Sequence, residues 1–379
     1  MAASGMVMGE EAAVGIPGRE GEEEGEAAAS GSGRVELGFV EAAAGPGWLG
    51  SSQFPSKVGG RPAWLSLGPL PGPERLRCGG CGEPLLFLLQ VYSPRPLPRA
   101  FHRALLLFCC RRRTACGRRS FLALRSQLPR HNPFYPPRPP PPPGARPPPP
   151  PGAEARLKLC RVCGAAAPKS CSRCRRAHYC GREHQAAHWR AGHREACQRP
   201  PGEGEDVVQL PNFLFPEFEL VMELEEEQTA TPEGAEDQKS EDHKKHIEPD
   251  SVTCSMDDKE LEAMAKHETK EDKIFDIFKK KIALAPDQVL RYCRGGSPLW
   301  VSGENIPKDT DIPNCSCGAK RIFEFQIMPQ LLYYLKVDSL GESIDWGTLA
   351  VYTCEESCDH GNEYTTEFLW KQDFSADNI

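Results

Sequence analysis

GGRPAW at residues 59–64 and GGSPLW at residues 295–300 open the two copies of one cassette. In each copy a cysteine follows the tryptophan: Cys78, 14 residues after Trp64, and Cys315, 15 residues after Trp300. The next stretches are CGGCGEPLLFLLQV (78–91) and CSCGAKRIFEFQI (315–327). Counted from Cys81 and Cys317, a phenylalanine falls six positions on (Phe87, Phe323) and a glutamine nine positions on (Gln90, Gln326). Each copy closes with an aromatic residue, a cysteine one or two positions on, and a last cysteine: Phe108, Cys109, Cys110 and Cys116, then Tyr352, Cys354 and Cys358. A repeat of this length decides the architecture before any local reading does.

Each copy offers four sulfurs, Cys78, Cys81, Cys110 and Cys116 in the first and Cys315, Cys317, Cys354 and Cys358 in the second. Two close pairs separated by a hairpin are the ribbon form of a structural zinc site. Of the adjacent Cys109 and Cys110, the repeat aligns Cys110 with Cys354, so Cys110 is the expected ligand. Cys109 then points to the opposite face of the strand. Strands are expected at Leu85–Tyr92, Ala104–Cys110, Arg321–Ile327 and Thr348–Thr353. A helix is expected from Thr269, with Ile274, Phe275, Ile277, Phe278 and Ile282 on one face and Pro286 beyond its end. The fold class is therefore mainly β: two zinc-ribbon-like cassettes forming one β-rich body, with a small α zinc finger inserted and disordered linkers.

Composition supports small folded parts on long connections. The chain has 379 residues, of which 35 are Gly and 37 are Pro, and its net charge is −7. Small cores need staples, and 17 cysteines without a secretory leader point to metal rather than disulfides. The opening residues are acidic and lack an apolar segment, and no apolar run reaches the roughly 18 residues of a membrane span. An intracellular, soluble protein is expected. The organisation reads as an acidic disordered tail (1–33), the first cassette (34–130), a polyproline linker (131–153), a finger (154–199), an acidic disordered linker (200–256), and the C-terminal helix with the second cassette (257–379). Within the acidic linker, LPNFLFPEF (210–218) is too apolar for a solvated segment. It could dock on a folded lobe or serve as a recognition segment.

Charge is unevenly spread. Residues 154–199 hold 11 Lys/Arg against 3 Asp/Glu, and residues 201–272 hold 23 Asp/Glu against 6 Lys/Arg. Such asymmetry bears on partners rather than on fold.

The middle of the chain carries Cys160, Cys163, Cys171, Cys174, Cys180, His184, His193 and Cys197. Eight donors in 38 residues are enough for two tetrahedral Zn²⁺ ions. The spacing favours interleaving, with Cys160, Cys163, Cys180 and His184 on one ion and Cys171, Cys174, His193 and Cys197 on the other. Cys180 to His184 and His193 to Cys197 are each one helical turn. His178 and His188 lie off the pattern and read as surface or packing residues. With all ligands supplied by protein, no position is left for water or substrate, and no nucleophile–base set or phosphate loop stands out. No enzyme activity is expected. Nucleic acid is a weak reading, since the arginines at 111–113 and 118–119 lack interleaved aromatics.

The segment with CRVC, CSRC, YCGREHQAAHW and HREAC resembles the MYND-type zinc finger. Its one departure is His184, where cysteine is common. That resemblance implies a module that binds short, often proline-containing peptides, including those of transcriptional corepressors. LGFVE (37–41), PSKVGGRPAWL (55–65), the CGGC ribbon, CRGGSPLW (293–300), CSCGAKRIFEFQIMPQLL (315–332) and WGTLAVYTCEESC (346–358), set around such a finger, resemble the programmed cell death protein two family. The first cassette departs at Ala115, where a further cysteine would fit. The family resemblance implies a dedicated chaperone of a basic small-subunit ribosomal protein in ribosome biogenesis, present in nucleus and cytoplasm. It also implies links to apoptosis and cell proliferation, with a nuclear adaptor of corepressors as the alternative. On this reading the cassettes share one body with a groove for an extended client, and acidic residues 217–242 screen the client's charge. The expected cofactor is Zn²⁺, two ions in the finger and one in each cassette.

Overall fold

The computed structural model describes residues 34–45, 47–111, 114–138, 153–200, 213–226, 270–337, 344–361 and 363–374. The tail (1–33), most of the polyproline segment and most of the acidic linker lie outside them.

Ten strands close into one antiparallel barrel. In chain order these are β1 (Glu36–Glu41), β2 (Lys57–Val58), β3 (Leu86–Tyr92), β4 (His102–Cys109), β5 (Phe121–Leu128), β8 (Phe218–Leu224), β9 (Leu290–Tyr292), β10 (Arg321–Ile327), β11 (Thr348–Cys354) and β12 (Thr365–Gln372). The remaining two, β6 (Lys169–Ser170) and β7 (His178–Tyr179), pair within the finger. Read outward from the β5–β12 seam, the barrel runs β5-β4-β3-β2-β8 in one direction and β12-β11-β10-β9-β1 in the other. The sequence repeat is thus a structural repeat, and the two cassettes share one barrel. Each half takes its last strand from the other side of the chain. β1 comes first in sequence yet pairs with β9 of the C-terminal half, and β8 pairs with β2 of the N-terminal half. β1 and β8 then pair with each other and close the barrel.

The repeat extends to fine geometry. A bulge interrupts β3 between Phe87 and Leu89 and β10 between Phe323 and Phe325, the same place in each copy. Gln90 accepts from the Ala63 N–H at 2.9 Å, and Gln326 accepts from the Leu299 N–H at 2.5 Å. The same side-chain amides donate back to the Ala63 and Leu299 carbonyls. The repeated glutamine therefore clamps the turn that delivers each tryptophan.

Alternation along the strands sorts the core. Leu105, Leu107 and Cys109 of β4 join a cluster drawn from both halves, with Leu88, Val91, Phe325, Ile327, Leu349, Val351 and Trp346. Ala104, Leu106, Phe108 and Cys110 join a second cluster that includes Trp64, Leu76, Leu85 and residues of the finger. Burial on both faces explains why Leu86–Leu89 of β3 and Ala104–Cys109 of β4 read as unbroken apolar runs. The helix Lys270–Leu284 lays Phe275, Phe278 and Ile282 against Val301 and Met328. Ile277, expected on that stripe, is instead 55% exposed. No helix among the described residues is long and apolar enough to cross a membrane.

Two linker expectations are overturned. Within the expected acidic linker, Phe218–Leu224 is a barrel strand, and the apolar stretch before it docks on the core, one of the two roles expected for it. Phe215 is buried, and Gly60 donates to its carbonyl at 3.0 Å. Three of the five acidic groups in residues 213–226 are already engaged: Glu217 with Lys57, Glu219 with the Trp48 indole at 2.8 Å, and Glu225 with Arg291 at 2.9 Å. Apolar Leu220 and Met222 pack on the core between them. Similarly, the start of the polyproline segment is anchored, because Tyr135 is buried and donates to the Leu65 carbonyl at 2.8 Å.

Ion pairs also join the halves. Arg103 of β4 pairs with Glu324 of β10 at 2.7 Å, and neither side chain is exposed. Arg125 of β5 pairs with Glu367 of β12 at 2.6 Å.

Candidate metal centres

Four clusters of potential ligands stand out among the described residues, each with its donor atoms within 4.8 Å of one another. They are Cys78, Cys81, Cys110 and Cys116; Cys160, Cys163, Cys180 and His184; Cys171, Cys174, His193 and Cys197; and Cys315, Cys317, Cys354 and Cys358. All sixteen residues singled out in the sequence are thereby brought together in the expected groupings.

The spacings suit zinc. Two sulfurs on one Zn²⁺ at about 2.3 Å stand roughly 3.8 Å apart in a tetrahedron, and a sulfur and an imidazole nitrogen roughly 3.5 Å. Observed sulfur separations are 3.6 Å for Cys81–Cys110, 3.7 Å for Cys163–Cys180, 3.8 Å for Cys171–Cys197, 3.5 Å for Cys315–Cys358 and 3.6 Å for Cys317–Cys354. His184 Nδ1 lies 3.5 Å from the Cys160 sulfur and 3.0 Å from that of Cys180, and His193 Nε2 lies 3.6 Å from that of Cys174. These are far longer than a disulfide bond, and every cysteine among the described residues is free. The donor sets therefore fit structural zinc.

In each ribbon the first pair sits on the turn before β3 or β10; the third cysteine stands at the end of β4 or β11 and the fourth in the loop that follows it. Both turns prepare their first sulfur as a thiolate. Burial pushes the Cys78 thiol up. Hydrogen bonds from the backbone of Cys81 and Gly80 and from the Cys81 and Cys116 side chains overcome this and hold it down at about 7. Burial likewise opposes ionisation of Cys315, but the Cys317 backbone N–H and the sulfurs of Cys358, Cys317 and Cys354 bring it down to about 6. A thiol so lowered is a better metal ligand. Gly80 also leaves room, since a Cβ there would stand 2.9 Å from Cys116 Cβ.

The adjacent cysteines separate cleanly. Cys110 faces Cys81, whereas Cys109 lies in the cross-half core, where burial drives its thiol well above the usual range. In the finger, helix Arg182–His188 carries His184, and the turn after it carries His193. His188 is a packing residue: its Nδ1 lies 2.9 Å from the Tyr179 hydroxyl and its ring stacks on His193 at 4.7 Å.

Two residues near the C-terminal cluster were not apparent from the sequence. Arg125, from the other half of the chain, donates to the Cys358 carbonyl at 2.8 Å and reaches its sulfur at 3.3 Å. His360 Nε2 lies 3.4 Å from the Cys358 sulfur and 3.3 Å from the Ser316 hydroxyl. A Cys-x-His spacing was the only signal for His360, and nothing local could have revealed Arg125.

The finger is docked on the N-terminal half. The Trp64 indole donates to the Gly164 carbonyl at 2.7 Å, Arg61 donates to the Arg161 carbonyl, and Phe213 meets the His184 ring edge-on at 5.0 Å. Its first metal cluster faces this interface. The second, with Tyr179 and Trp189, forms a separate core. Arg111 is also occupied, donating to the Phe213 carbonyl at 3.3 Å.

Comparison with known proteins matches this architecture segment by segment. Residues 34–142 match the family model of the programmed cell death protein 2 N-terminal domain, residues 160–197 the MYND finger, and residues 272–373 the programmed cell death protein 2 C-terminal domain. Programmed cell death protein 2 of Mus musculus is 56% identical across 91% of this chain and 98% of its own length. That of Bos taurus is 54% identical across 92% of this chain and 99% of its own. A shorter stretch, 26% of this chain and 27% of the relative, is 35% identical to probable 20S rRNA accumulation protein 4 of Schizosaccharomyces pombe. No solved structure matches. Shared along nearly its whole length with those mammalian relatives, this arrangement makes the chain a member of the programmed cell death protein 2 family.

Proposed function

We propose that this chain is a protein-holding scaffold, a dedicated chaperone or adaptor for a basic small-subunit ribosomal protein in ribosome biogenesis, working in cytoplasm and nucleus. One observation carries the non-catalytic part. Each cluster already supplies four protein donors, so a bound Zn²⁺ has no open position for water or substrate. Zinc, one ion per cluster and four in all, then staples surfaces rather than activating anything. The ribosomal part draws on the fission-yeast relative, whose name ties it to 20S rRNA accumulation.

Electrostatic screening of such a client falls to fewer residues than the composition suggests, because Glu217, Glu219 and Glu225 are engaged within the barrel. The deciding experiment is to purify the tagged, full-length chain from cells, identify stoichiometric partners and count zinc on the same sample. A small-subunit ribosomal protein at unit stoichiometry supports the reading; its absence removes it.

A second reading, an adaptor that recruits corepressors through the finger, is favoured by the finger's second metal cluster, which forms its own core apart from the barrel interface. Substitutions there separate the two readings better than removal of the whole finger, which would uncover Trp64, Leu76 and Leu85. Loss of corepressor binding with the ribosomal client retained would assign both activities to different surfaces.

A further inference from the structure

The two halves differ in what covers their repeated tryptophan. Trp64 is fully buried, stacked on Phe108 at 5.8 Å, with its indole N–H given to Gly164 of the finger. The finger's Cys163 and Ala165 fill the same corner against Leu76, Pro84 and Leu85. The Gln326 clamp sets Trp300 over Phe323 and Tyr352, the counterparts of Phe87 and Phe108. Among the described residues no finger lies there. A groove of about 480 Å³ opens instead, lined by Gly296, Trp300, Ile306, Ile312, Phe323 and Tyr352. Trp300 is half-buried, its indole N–H has no acceptor among the described residues, and Ile306 on the rim is 36% exposed.

Resting on the protein-holding reading above, we propose that this groove docks a glycine-bearing turn of a partner protein, entering as the finger's Cys160–Gly164 turn enters at Trp64. The occupied half defines the guest. Gly164 has φ +71°, and a Cβ on it would stand 2.9 Å from Arg61 Cβ, so the tip must be small. Its carbonyl must also point at the indole. The walls are preorganised by the glutamine clamp on one side and the metal ribbon on the other, which lowers the ordering cost of binding. The guest is not a second copy of this finger. Where the finger meets apolar Pro84 and Leu85, the vacant groove offers Lys320 and Arg321, and Ser297 stands in place of Arg61. Arg321 is engaged with Glu367 and with the Pro313 and Asn314 carbonyls, so the rim is polar without a free guanidinium.

The test pans a library of disulfide-closed peptides of about nine residues on the full-length, zinc-loaded chain, closure being chosen to limit the entropy lost on binding. Enriched peptides are expected to carry glycine at the turn. Trp300→Phe, which keeps the ring and removes the donor, should weaken them about fivefold. Trp300→Ala and Ile306→Glu should weaken them about tenfold or more. Zinc content and melting temperature are measured for each variant, and Trp300→Phe and Ile306→Glu guard against a folding defect in Trp300→Ala. Failure to select binders, binders without glycine, or binders indifferent to both Trp300→Phe and Ile306→Glu would overturn the proposal. Co-purification of a ribosomal protein is scored separately, so the loss of one reading leaves the other measurable.

Discussion

Arg103 of the N-terminal half and Glu324 of the C-terminal half meet across the barrel, a guanidinium nitrogen 2.7 Å from a carboxylate oxygen. Glu324 occupies the bulge of β10, where the first copy has Leu88. Tyr292 donates to the same carboxylate at 2.9 Å, and Thr353 and Arg294 also face it. Burial opposes the charge, but Arg103 prevails and holds Glu324 down at about 2. An apolar position in one repeat has become the ionic lock between the two.

Glu324→Gln leaves Arg103 buried without its counter-charge and should cost about 3 kcal/mol near neutral pH, read from urea unfolding. The sign follows from the lowered pKa of Glu324. The carboxylate's contribution is complete above the unfolded value of 4.5 and is lost as pH falls towards about 2. The gap between wild type and variant should therefore be flat from neutral pH to about 4.5 and close below it. Acid release of zinc affects both proteins alike. A gap that closes already between pH 7 and 5 would show that another group is responsible.

Zinc counting separates the adjacent cysteines. Cys110→Ser should remove one ion per chain, because its sulfur stands 3.6 Å from that of Cys81. Cys109→Ser should retain all ions and cost about 1–3 kcal/mol in stability, since it places a hydroxyl in an apolar core. Elemental analysis of both purified variants decides the matter, and loss of zinc from Cys109→Ser would reverse the assignment.

How far the fold could be read from the chain depends on whether its signals were local. The repeat carried strands β3, β4, β10 and β11 and the two ribbon donor sets, and the finger's own Cys/His spacing carried the other two, because each rests on spacing within a few tens of residues. The strand Phe218–Leu224 was hidden by its own carboxylates. Glu219 and Glu223 alternate with Leu220 and Met222, but the surrounding acidic run reads as solvated chain until Lys57, Trp48 and Arg291 are seen to take up its charge. The exchange of β1 and β8 between halves was equally out of reach, since it depends on pairing across some 180 residues. Docking of the finger rests on Trp64 meeting Gly164, a contact that no periodicity announces.

Gly59→Ala tests the anchoring of that hidden strand. Gly59 has φ +62°, and a Cβ on it would lie 1.9 Å from the Pro216 carbonyl oxygen. The left-handed backbone alone costs a non-glycine residue about 1–2 kcal/mol, and the backbone overlap adds to it. The prediction is a loss above 2 kcal/mol, roughly, with hydrogen exchange accelerated in Phe218–Leu224 before the rest of the barrel. Uniform acceleration along all strands would mean that the segment does not open as a unit.

Arg125 offers the sharpest test of whether the halves act as one body. Its side chain is 2% exposed and engages Glu367 while binding the carbonyl and sulfur of Cys358. Arg125→Met should therefore act at a metal centre whose ligands all belong to the other half. Loss of a residue that orients a ligand commonly lowers metal affinity about 10–100-fold, so a chromogenic chelator should draw one zinc from the variant well before the others. Glu367 keeps Arg321 at 2.9 Å, which limits the electrostatic damage and keeps the fold measurable. Arg99→Ala is the control, because Arg99 reaches only the Ser357 and Glu356 carbonyls of the same loop and should have a smaller effect. If zinc leaves Arg125→Met and wild type at the same rate, the C-terminal ribbon holds its metal without help, and the shared barrel joins two independent modules.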